Sequence, residues 1–158
     1  MPFEEKLTWV NLVVTLVVAA TYSVVVLAPL GEVPAAEIAY QRPLLIAVGA
    51  SIVLTIIGAI LTAIGTAVGT AIGTAVSGEI SGRDATAEIE RKDERDADIS
   101  RRGDLLGYYV ASAGAVGVMA LTMLEADYFW IANALYLSFL TASLVSAIYK
   151  LVLYRRGY

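Results

Sequence analysis

Four long apolar stretches, Leu7 to Leu30, Pro43 to Val76, Leu105 to Leu124 and Tyr128 to Leu153, leave this chain few folds to choose from. Each reaches the ~20 residues that carry an α-helix across the hydrocarbon core of a bilayer. Lipid offers the backbone no hydrogen-bond partner, so such a segment must satisfy its own amides, which a helix does within one segment. Charge is correspondingly segregated, with 15 of the 26 charged residues lying between Glu79 and Asp104. The 58% of hydrophobic residues exceeds the roughly 45–50% of soluble domains, and the mean hydropathy is +0.73. The expected fold is all-α: one integral membrane domain over residues 1–158, a four-helix bundle. Its spans are expected at about 7–30, 43–64 with a cytoplasmic extension to 78, 105–124 and 128–153, and residues 79–104 form a charged helical connector. The first apolar run exceeds a typical signal-peptide h-region and lacks a basic n-region, so it is read as a retained span.

Basic residues set the expected orientation. Lys6, six residues between Arg83 and Arg102, and Lys150, Arg155 and Arg156 fall on one side, and only Arg42 on the other. The positive-inside rule then places both termini and the 79–104 segment in the cytoplasm. Between the third and fourth spans only Glu125, Ala126 and Asp127 remain, which makes those helices antiparallel neighbours.

The second apolar segment has 34 residues and, as one helix, would reach ~51 Å against a core of ~30 Å. Its excess coincides with a tandem Ile/Val-Gly-Thr-Ala repeat. Gly65, Gly69 and Gly73 form two overlapping G-x-x-x-G motifs, and Gly58 precedes them on nearly the same helix face. Small residues so spaced let helix backbones approach closely. Three uses are open: packing inside the chain's own bundle, contact between copies in a homo-oligomer, or a Thr-lined pore.

The charged segment carries i, i+4 pairs that support a helix, among them Glu88 with Lys92 and Asp98 with Arg102. Ile80, Ile89 and Ile99 form no continuous apolar stripe, so a helix lying flat on the membrane is not expected. The segment reads as a solvated connector or, through Asp93, Glu94, Arg95, Arg101 and Arg102, as a docking surface for a cytoplasmic protein. Its clustered acids do not match a Ca²⁺ loop, since counting from Asp96 gives neither the turn Gly nor the terminal Glu.

No Cys and no His occur, which removes thiolate nucleophiles, Cys/His metal sites and imidazole acid–base chemistry. A net charge of −4 gives no footprint for nucleic acid. No Asp, Glu, Lys or Arg lies deep in a span, where such residues usually mark a transport pathway. No catalytic residue, cofactor or metal is therefore expected.

Three blocks carry a family resemblance: Phe3-Glu-Glu-Lys6 with Thr8-Trp9; Asp93-Glu-Arg95 with Ile99 and Gly103; and Ala126-Asp-Tyr-Phe-Trp-Ile-Ala-Asn-Ala134 with the terminal Tyr154-Arg-Arg-Gly-Tyr158. Together they resemble an uncharacterised family of small four-span prokaryotic membrane proteins. The resemblance implies a cell-membrane location and supplies no mechanism. The functional expectation is a non-enzymatic membrane scaffold or accessory subunit, associating through its helices with copies of itself or other membrane subunits and docking a cytoplasmic protein. The alternative is an oligomeric channel or transporter.

Overall fold

A computed structural model describes the backbone of residues 3–77 and 84–156 and the side chains of 3–69 and 94–156. Gly73 and Asp93 thus fall outside the described side chains. Among the described residues the regular structure is helical throughout: α1 (Phe3–Leu27), α2 (Gln41–Ser77), α3 (Asp84–Met123) and α4 (Tyr128–Arg155), with two short 3-10 turns between α1 and α2. All four helices are long and apolar enough to cross a membrane.

The boundaries follow from local chemistry. α1 stops at Leu27 because Pro29 lacks the amide that would continue it, and the chain turns through Ala28–Gly31. α2 starts at Gln41 with Pro43 in its first turn, where an N–H has no intrahelical partner. α3 ends in a tight reversal: Ala126 N–H donates to the Leu121 carbonyl at 3.1 Å and Glu125 N–H to that of Thr122 at 3.1 Å. This pairing is the Schellman motif, and it puts Glu125 in the left-handed region at φ 54°.

Two helices are longer than a bilayer crossing requires. α2 has 37 residues and α3 has 40, or ~55 and ~60 Å against a core of ~30 Å. The charged segment is continuous with the third span, because from Asp84 onward α3 is one unbroken helix.

The helices pack in the order α2, α1, α4, α3. α3 lies along α4, α4 on α1, and α1 on α2, while among the described residues no extended contact joins α2 to α3 or to α4. The arrangement is a curved row with two free edges. Near the two loops, Val18, Tyr22, Val26, Ile38, Ala47 and Phe129 form the larger core cluster; Leu12, Ala147 and Leu151 form a second toward the termini. Tyr40 meets Phe129 edge-to-face at 5.5 Å, so the α1–α2 loop and the start of α4 share one end of the row and the termini share the other. Val24, Leu45 and Ile46 are at least 70% exposed, as lipid-facing side chains are.

Glycines line the close approaches of α2 to α1 and of α3 to α4. A Cβ on Gly58 would collide with Val10 of α1. Along α3, a Cβ on Gly107 would lie 3.1 Å from Ser146 Cβ and 3.2 Å from the Ala142 carbonyl, and Cβ atoms on Gly103 and Gly114 would collide with Lys150 and Ser138. Gly65 and Gly69 meet nothing within 4 Å. The register explains the difference: Val10 opposite Gly58 in an antiparallel pair sets Gly65 against the first residues of α1, and Gly69 beyond them.

Candidate functional site

The curvature of the helix row encloses a cleft whose lining is more polar than a lipid-facing surface requires. Its inner part, ~520 Å³, opens near the termini and is lined from all four helices, among others by Glu4, Thr8, Asn11, Thr55, Asp104, Tyr108, Ser143, Ser146 and Lys150. Its deeper part, ~530 Å³, is lined by Asn11, Thr15, Val48, Ser51, Ile52, Thr55, Ile56, Tyr136, Phe139, Leu140 and Ser143. Asn11, Thr55 and Ser143 border both, so the two form one continuous groove. Each part falls within the ~300–1,000 Å³ of small-ligand sites.

Helical periodicity builds this wall. Glu4, Thr8, Asn11 and Thr15 follow at intervals of four, three and four, which places them on one side of α1. Ser51 and Thr55 repeat the spacing on α2, and Ser143, Ser146 and Lys150 on α4. Asn11 lies eight residues into α1, ~12 Å from its start.

Several of these groups satisfy themselves. Thr8 Oγ1 donates to the Glu4 carbonyl at 2.8 Å and Ser51 Oγ to the Ala47 carbonyl at 2.8 Å. The side chains of Asn11, Thr15, Thr55 and Ser143 make no hydrogen bond to another described residue. Polar groups without partners are costly in an apolar medium, so the groove favours an occupant able to hydrogen-bond.

At the mouth, Lys150 Nζ lies 2.8 Å from Asp104 Oδ1 and donates to Ser100 Oγ at 3.2 Å. The lysine side chain is 17% exposed and the aspartate 66%, so the pair faces the opening with its acid outward. Ser146 Oγ donates weakly to Asp104 at 3.4 Å. The lysine stem passes over Gly103, where any side chain would displace it. Glu4 is exposed on the facing wall.

No family model, curated protein or solved structure matches this chain.

The residues singled out for docking separate on α3. Glu94, Arg95, Arg101 and Arg102 are all exposed, but Glu94 and Arg101 share one row seven residues apart and Arg95 and Arg102 another. Arg102 Nε donates to Asp98 Oδ2 at 2.8 Å. Arg95 and Asp96 lie within electrostatic reach of Tyr154, as do Glu4 and Glu5, which brings the charged end of α3 over the start of α1 and the end of α4. Ile99, on the same stretch of α3, is fully buried. Among the described residues no three acidic side chains gather closely enough to hold a metal ion.

At the opposite end, Tyr22 Oη donates to Asn133 Oδ1 at 2.6 Å, and Asn133 Nδ2 to the Phe129 carbonyl at 2.7 Å. Tyr22 also meets Tyr136 edge-to-face at 4.7 Å. This network closes the groove at its deep end. The seam of Gly103, Gly107 and Gly114 and the Lys150–Asp104 pair escaped the sequence reading. The glycine spacing of four and seven carried the signal for the seam, whereas the ion pair requires the register of α3 on α4.

Proposed function

We propose that this chain is a non-enzymatic scaffold or accessory subunit of a prokaryotic cell membrane, with both termini and the 79–104 segment in the cytoplasm. It associates through its helices with further copies or with other membrane subunits. One observation carries the reading: among the described residues α2 packs chiefly on α1, and nothing lies within 4 Å of a Cβ placed at Gly65 or Gly69, which leaves that helix face open to another helix. Close helix approach is the main source of association in lipid, where apolar burial offers little gain. The exposed Glu94, Arg95, Arg101 and Arg102 fit the docking of a cytoplasmic protein. The resemblance to small four-span prokaryotic proteins supports the location.

Extraction in a mild detergent followed by light-scattering mass determination tests the proposal. A protein mass that is a multiple of 16.7 kDa, or a stoichiometric second protein, is expected. A lone monomer under conditions that keep the fold intact would overturn it.

The groove favours a second reading, an oligomeric channel or transporter, because Asn11, Thr55 and Ser143 offer polar contacts at hydrocarbon depth. Solute flux into liposomes containing only this chain would select it.

A further inference from the structure

We propose that the groove binds one phospholipid with a zwitterionic, amine-bearing headgroup, such as phosphatidylethanolamine, held as a specific ligand and not as exchangeable boundary lipid. The inference requires that the helices lie in a bilayer and is independent of whether the chain is a scaffold or a channel.

The groove is graded along its length in the way such a molecule is graded. Its mouth holds Glu4, Asp104 and Lys150, its middle Asn11, Thr55 and Ser143, and its deep part Ile52, Ile56, Phe139 and Leu140. Headgroup charges, the glycerol-ester region and an acyl chain follow the same order from the interface inward. The edge between α2 and α3 lets the molecule enter sideways from the bilayer, since among the described residues no extended contact joins those helices.

Charge selects the headgroup. Two carboxylates and one ammonium leave the mouth at net −1, which disfavours an anionic lipid. Lys150 offers a cation to a phosphate, and Glu4 and the outward Asp104 offer acceptors to an ammonium. A zwitterion uses both signs. The Asn11 amide and the Thr55 and Ser143 hydroxyls, without partners among the described residues, can then bond the ester carbonyls, removing the cost of leaving these groups bare.

Native mass spectrometry of the detergent-purified full chain, titrated with phosphatidylethanolamine or phosphatidylglycerol, tests the assignment. One phosphatidylethanolamine per chain is expected, retained in preference to phosphatidylglycerol. Glu4→Gln, an exposed change, should narrow that preference by about threefold to fivefold. Thr55→Leu, which fills the middle of the groove, should abolish retention. Equal retention of the two lipids by the unaltered chain would overturn the proposal. So would unchanged retention by Thr55→Leu in a preparation whose helical circular dichroism matches the parent. A lipid-free oligomer that Thr55→Leu dissociates would show that a second copy fills the groove, and would overturn it equally.

Discussion

At Glu125 the chain makes its sharpest reversal with a residue poorly suited to it. A left-handed conformation costs a non-glycine residue ~1–2 kcal/mol, and glycine is the usual occupant of this position in a Schellman motif. Glu125→Gly removes that strain but adds flexibility to the unfolded chain, so a net gain of about 0.5–1 kcal/mol is expected. Glu125→Val, branched at Cβ, should lose about 1 kcal/mol. Thermal unfolding in detergent reads both, and an order of stability other than Gly, Glu, Val would contradict the strain argument. The glycines on α2 divide at the same scale. Gly58→Leu must push α1 away at Val10 and should cost at least ~1–3 kcal/mol. Gly69→Leu meets no described residue within 4 Å of its Cβ and should leave monomer stability within about 0.5 kcal/mol while lowering the copy number or the yield of an associated subunit. Loss of monomer stability in Gly69→Leu equal to that in Gly58→Leu would mean that the two glycines do the same work.

Elements were far more legible than their arrangement. Apolar length alone announces four helices, because lipid leaves the backbone no other way to satisfy itself, and Pro29 and the short 125–127 link mark where they turn. The i, i+4 pairs of the charged segment show why α3 continues through it, although each exposed pair adds only tenths of a kcal/mol and Arg102 with Asp98 is 44% and 40% exposed. What the sequence could not announce is neighbourhood. A repeat such as Ile-Gly-Thr-Ala displays a face suited to close approach without naming what approaches, and here no described residue lies within 4 Å of a Cβ placed at Gly65 or Gly69. The seam that joins α3 to α4 uses the less conspicuous Gly103, Gly107 and Gly114. The groove depends on polar residues from α1, α2 and α4 whose convergence follows only from the curvature of the row. Periodicity places each residue on a face of its own helix, and the inter-helix register that joins those faces is a tertiary property.

For the whole molecule, one question concerns which ends lie together and another which side of the membrane each end faces, and single cysteines separate the two. The native chain has none, so any introduced thiol reports its own position. Tyr40 against Phe129 puts the α1–α2 loop and the α3–α4 turn at one end of the helix row, so Glu32→Cys and Asp127→Cys must share one labelling behaviour whatever the orientation. Glu90→Cys lies in the charged segment that leads into α3's span from the other end, so it should show the opposite behaviour. Orientation then rests on charge: ten of eleven basic residues flank the spans on the side of the termini, and retention of Lys and Arg in the cytoplasm sets topology in most multi-span proteins. A membrane-impermeant maleimide applied to intact cells should therefore label Glu32→Cys and Asp127→Cys and spare Glu90→Cys until the cells are permeabilised. The reverse pattern would keep the fold and overturn the charge argument. Divergent labelling of Glu32→Cys and Asp127→Cys would break the packing order of the helices itself.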